Sequence, residues 1–86
     1  MQRQEVAKMV TDAIVEVTGI PEAQIDRNKT LIKNGADSLE AIELMNNLEN
    51  KFDIQIADSD FLEKPITVDG IIDLVLRLLP SAVAVA

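Results

Sequence analysis

Three separate stretches of this 86-residue chain place apolar residues three and four apart, and that spacing restricts the fold to helices packed on one another. From Arg3 to Val17 the positions are Val6, Met9, Val10, Ala13, Ile14 and Val17, with Gly19 and Pro21 supplying the stop. From Ser38 to Phe52 they are Ala41, Leu44, Met45, Leu48 and Phe52, leaving Glu40, Glu43, Asn47 and Asn50 outside the stripe. From Val68 to Leu79 they are Val68, Ile71, Ile72, Val75, Leu78 and Leu79. Gly70 weakens this helix by about 1 kcal/mol relative to Ala, and Pro80 ends it. Between the second and last stretches, Asp58-Ser59-Asp60 reads as the cap of a short helix carrying Phe61 and Leu62, which Pro65 keeps short.

The remaining long segment, Glu22 to Ala36, shows no sustained periodicity and holds Asp26, Asn28, Asn34 and Gly35. It reads as a loop with Ile25, Leu31 and Ile32 turned inward, and a loop this long in a small domain is usually functional. The expected architecture is all-α: a small four-helix bundle of three main helices and a short third one, with a long loop between the first and second. Residues 1–80 form one domain and 81–86 a disordered tail in this reading, because a chain this short holds a single core and buries only about 60 to 65% of its unfolded surface. A monomer is expected.

Composition excludes several functions. The chain has no cysteine and no histidine, so disulfides, thiolate metal sites and Ser-His or Cys-His catalysis are all out of reach. No catalytic residue and no metal ligand set is expected. Fifteen acidic against eight basic residues give a net charge of −7, which repels nucleic acid and anionic membranes and favours basic protein partners. No apolar run is long enough to span a membrane, and the charged start MQRQEVAKMV does not fit a secretory signal. The expected location is the cytoplasm.

Ser38 stands where the Asn34-Gly35-Ala36 loop meets the second helix. Asp37 suits the cap of that helix, and Glu40 three residues on completes a capping-box pair. Free N–H groups and the positive end of the helix dipole would stabilise a phosphodiester on the Ser38 oxygen. With no base in the chain, the hydroxyl cannot activate itself, so a second protein would have to modify it. Spacing alone favours a serine that only caps a helix, since Ser is among the preferred capping residues.

The run Gly35-Ala36-Asp37-Ser38-Leu39-Glu40, followed by Ala41-Ile42-Glu43-Leu44, closely resembles the phosphopantetheine attachment motif of acyl carrier proteins. The resemblance extends from about Val6 to Leu79, through Phe52-Asp53-Ile54, the Asp58–Lys64 segment and Ile66-Thr67-Val68. It implies that Ser38 carries 4′-phosphopantetheine, added from coenzyme A by a separate phosphopantetheinyl transferase, with acyl groups held as thioesters on the arm. It further implies that Asp37 helps to present Ser38 and a magnesium ion to the transferase, a role compatible with capping. Acyl-loading and acyl-processing enzymes would dock through basic patches on Leu39, Glu40, Ile42, Glu43 and Glu49, and the apolar stripes would line a space able to shelter an acyl chain. Leu39 and Ile42 could equally cover the loop from Leu31 to Gly35; for the acidic residues, composition alone favours a solvated face, and the motif shifts that balance toward docking.

Departures from the common fatty-acid pattern are Asn34 in place of a leucine, Asn50-Lys51 in place of acidic residues, and Thr30 where an aromatic often stands. They suggest a dedicated carrier for polyketide or related metabolites rather than for housekeeping fatty-acid synthesis. A peptidyl or aryl carrier and a cofactor-free helical interaction module are the alternatives; Asp37 before Ser38 favours the acyl type. The spacing Asp26-x-Asn28-x-Thr30 matches the opening of a calcium-binding loop, but Leu31 stands where that loop needs Gly and Asp37 where it needs Glu.

Overall fold

A computed structural model describes residues 2–80. The tail expected to be disordered, 81–86, lies outside the described residues. Four helices follow in order: α1 (Arg3–Thr18), α2 (Ser38–Phe52), α3 (Asp58–Phe61) and α4 (Val68–Leu78), with a short 3-10 turn at Glu22–Gln24. The protein is all-α, a small helical bundle.

α1 is the shared partner, packing against both α2 and α4. Its Val6, Val10 and Ile14 are fully buried, as are Leu44 and Leu48 of α2 and Val68, Ile71, Ile72 and Val75 of α4. Burying an aliphatic side chain of this size stabilises by about 1.5 to 3 kcal/mol, so this cluster is the main source of stability in a chain without disulfides. Phe52, Ile54, Ile56 and Phe61 close one side of the same core. α1 ends as expected: Gly19 adopts a left-handed conformation at φ 77° and its N–H donates to the Val15 carbonyl.

Four details differ from the sequence reading. Leu78 is 38% exposed, whereas Leu74, which the pattern left out, is 2% exposed. Arg3 at the start of α1 pairs with Asp73 of α4, and Leu76 and Leu79 still pack partly buried against the core. Ile32 is not inward but 57% exposed. Residues 30–35 coil as a tight turn, with Asn34 N–H reaching the Thr30 and Leu31 carbonyls and Gly35 N–H the Ile32 carbonyl, and in such a turn Leu31 and Ile32 cannot share one direction. Leu31 takes the core. α3 is capped by Ala57 without a side-chain hydrogen bond, so Asp58 and Asp60 occupy its first turn rather than its cap. Asn47, expected outside the α2 stripe, is half-buried, and its side-chain oxygen has no partner among the described residues.

The long connection between α1 and α2 is stitched in two places. Asn34 Oδ1 accepts the Asp26 N–H at 2.7 Å, while Nδ2 donates to the carbonyls of Asp26 at 3.0 Å and Thr30 at 2.9 Å. The loop is then tied to the start of α4: Thr30 and Thr67 form an antiparallel bridge, Val68 N–H donates to Lys29 O at 3.0 Å, and Asp69 N–H donates to Arg27 O at 2.9 Å. Arg27 and Asp69 side chains pair across the same junction at 2.7 Å.

Asn34→Ala should therefore destabilise the fold by about 1 to 3 kcal/mol, the cost of stripping partners from partly buried polar groups. Urea unfolding measures that loss, and amide exchange should accelerate first at Asp26.

Candidate functional site

Asp37 caps α2 with extended backbone geometry, and the capping box is complete. The Asp37 carboxylate accepts the Glu40 N–H at 2.8 Å, and the Glu40 carboxylate accepts the Asp37 N–H at 3.0 Å. Just before it, Gly35 sits at φ 110°, a conformation that side chains with a Cβ rarely adopt, and Ala36 is buried with its N–H on the Leu31 carbonyl at 3.0 Å. The chain is thereby fixed on both sides of the helix start. Ser38 occupies the first helical position and is exposed. Among the described residues its hydroxyl makes no hydrogen bond, and the N–H groups of Ser38 and Leu39 have no acceptor, the ordinary condition of the first turn of a helix.

Beside Ser38 lies a cleft of about 610 Å³ between α2, the turn at 30–33 and the segment from α3 to α4. Ser38, Ala41 and Ile42 form its α2 wall, a three-and-four row on one helix face. Leu31 and Phe61 are the buried parts of its lining; Ile32 and Leu62 are exposed at it, with Ile66 half-buried and Lys33 and Lys64 supplying positive charge. The sequence reading placed Leu31 and Ile32 in the loop and Phe61 and Leu62 in α3, but did not bring them together at Ser38. Only contact across the fold does so, through the tie between the loop and α4.

The other expected site residues separate into two groups. Leu39 is 63% exposed and Ile42 41% exposed; Leu39 does not cover the loop, whereas Ile42 faces it across the cleft. Glu43 is exposed, and Glu40 is half-buried within the capping box. Glu49 stands roughly 16 Å along the helix from Ser38, at 1.5 Å per residue, and its carboxylate accepts the Ile56 N–H at 2.8 Å. It holds the turn after α2. Asp26, the first residue of the calcium-like spacing, accepts the Asn28 N–H at 2.9 Å in a local turn.

A short helical bundle that fixes one exposed serine at a helix entrance, beside an apolar cleft, has the build of a carrier domain. Comparison with known proteins agrees. A family described as Phosphopantetheine attachment site matches residues 8–75. Proteins named Acyl carrier protein are similar over 78 residues, covering 90% of this chain and 99% of theirs: one from Chlorobium phaeobacteroides is 38% identical, and those from Chlorobium phaeovibrioides and Chlorobium luteolum are each 40% identical. The chain belongs to the acyl carrier protein family, whose members carry a covalently attached 4′-phosphopantetheine and are carriers rather than catalysts.

Asp37→Ala removes the cap and should cost about 1 kcal/mol, within the usual range for such a change, whereas Asp37→Asn keeps an acceptor and should cost much less. Thermal unfolding of the two variants side by side measures the difference.

Proposed function

We propose that Ser38 is the attachment point of the 4′-phosphopantetheine arm and that the chain shuttles thioester-bound acyl groups between enzymes of a dedicated pathway, of the polyketide or related secondary-metabolite kind. The observation that carries the reading is the state of Ser38: an exposed hydroxyl without a hydrogen bond, fixed at the entrance of α2. The residues fit the group. The free N–H groups of Ser38 and Leu39 lie at the positive end of the helix, where an anionic phosphodiester is stabilised, and the adjoining cleft gives the arm and its acyl end an apolar wall to lie against.

Attachment forms a bond from the Ser38 oxygen to phosphorus and breaks the pyrophosphate link of coenzyme A, releasing its nucleotide half. The serine proton must leave to a base, and this chain has no histidine to take it. A phosphopantetheinyl transferase supplies that base, and Asp37, exposed beside the serine, helps to present the hydroxyl. Partner enzymes dock on Leu39, Ile42 and Glu43 with basic groups of their own; Asp37 and Glu40 add to the field while serving the cap. Steering of this kind speeds encounter without tight binding. Residues 1–80 act as one carrier domain, monomeric and cytoplasmic. Among the described residues, no helix is long and apolar enough to cross a membrane.

The dedicated-pathway reading draws support from the far end of α2. Lys51 is engaged with Glu16 at 3.2 Å, which leaves that end of the docking helix less negative than an acidic pair would. Lys51→Glu should raise the rate of encounter with a basic fatty-acid enzyme about two- to five-fold, an effect of rim charge on association. Stopped-flow mixing at low and high salt measures it; equal rates for both proteins would remove this support.

Attachment itself is tested by incubating the protein with coenzyme A and a promiscuous phosphopantetheinyl transferase. Intact mass should rise by one arm in the wild type and not in Ser38→Ala. A wild type left unmodified would favour the cofactor-free interaction module.

A further inference from the structure

Gly70 stands in the first turn of α4, where a helix ordinarily gains from any residue with a Cβ. The space around it explains the glycine. A Cβ built at position 70 would lie 2.9 Å from Ile66 Cγ1 and 3.6 Å from Ile66 Cδ1, and 3.2 Å from Thr67 Oγ1. A separation of 2.9 Å between carbons is well inside van der Waals contact, so Ile66 rests in the place that a methyl group on residue 70 would take.

Ile66 has a second neighbour: it also lines the cleft beside Ser38. It therefore stands as a partition between α4 and the cleft, with Gly70 behind it. Phe61 and Leu31 are buried where they meet the same cleft, and the fully buried Val68 and Ile71 hold the neighbouring part of α4 in the core. A side chain pushed off Gly70 has its open space on the cleft side.

We propose that Gly70 is a positioning residue that sets the depth of the cleft through Ile66, and so sets the longest acyl chain that the carrier shelters. The inference rests on the reading of Ser38 as the attachment point. The missing Cβ lets Ile66 sit back against α4 and leaves the end of the cleft open. An alanine at position 70 would drive Ile66 forward and shorten the cleft by about the breadth of a methyl group, while raising intrinsic helix propensity. The cost to α4 of carrying glycine is thus matched by room for cargo.

The test loads the full chain with a series of straight acyl groups from two to ten carbons, using acyl-coenzyme A and a phosphopantetheinyl transferase, and confirms loading by intact mass. Methyl spectra of Ile66, Leu31 and Leu62 are then followed along the series. In the wild type the shifts should keep changing up to a limiting length. In Gly70→Ala they should stop changing about two carbons earlier, and hydroxylamine should cleave the longer thioesters at least three-fold faster than in the wild type, with the two-carbon thioester unaffected. Ile66→Ala in the Gly70→Ala background should restore the longer limit, which a disturbed Thr67 cap would not do. Ile66→Ala alone should extend it.

The same limiting length in the wild type, Gly70→Ala and Ile66→Ala, or cleft methyls that ignore every acyl group on a fully loaded protein, would overturn the proposal. A protein that takes up no arm at Ser38 would overturn the underlying reading, and mass analysis separates the two failures.

Discussion

Because the connection from Gly19 to Asp37 contains no regular helix beyond one 3-10 turn, the placement of Ser38 depends on how that segment is tied down. One carboxamide does most of this. Asn34 closes the loop by accepting from the Asp26 backbone and donating to the Asp26 and Thr30 carbonyls, satisfying groups that a folded loop would otherwise leave unpaired. Its backbone N–H serves the same turn. The loop is then fastened to α4 through Lys29, Arg27 and the Thr30–Thr67 bridge. The helix that carries the serine and the segment that forms the opposite wall of the cleft are therefore registered to each other by backbone hydrogen bonds rather than by packing alone.

Packing sets the larger frame. α1 packs against both α2 and α4, and its fully buried Val6, Val10 and Ile14 meet the equally buried Leu44, Leu48, Ile71, Ile72 and Val75 in one cluster. Among the described residues, no polar or charged residue is buried. The core is thus apolar apart from the inward-turned Asn47 side-chain oxygen. That separation suits a carrier, whose interior has only to hold shape.

How far the sequence alone revealed this differs by kind of feature. α2 was legible to its end residues, because its apolar stripe is dense and Asp37 and Glu40 announce its start. α1 and α4 were legible in extent within a residue or so, but not in every side chain: Leu74 is buried and Leu78 exposed although the two share one helix face, a fact of tertiary placement. Ile32 misled because apolar character in a loop gives no direction when the turn geometry is unknown. Asn34 showed in sequence as a loop residue before Gly35 and as a departure from a pattern; its hydrogen bonds became visible only with the fold. Gly70 showed as a weakness of α4, and only the contact with Ile66 supplied its reason. The motif around Ser38 was legible, while the cleft beside it was not, since its Phe61–Ile66 wall lies far along the chain from the other two.

The acidic side chains near the serine illustrate why charge on a helix cannot be assigned to docking by count. Asp37 and Glu40 hold each other's backbone N–H groups in the capping box, and Glu49 holds the Ile56 N–H. Each contributes to the negative field, yet replacing any of them also loosens the helix start or the turn after it, so a loss of partner binding would mix two causes. Glu43 differs: it is exposed and makes no hydrogen bond or ion pair among the described residues. Its position one turn from Leu39 puts it on the outward face beside the serine. Near the serine, then, Asp37 and Glu40 are committed to the helix start, whereas Glu43 and the cleft-lining Glu63 are exposed carboxylates without a hydrogen bond or ion pair among the described residues, and the attraction of such exposed charges for a partner is screened by salt and contributes little to residence.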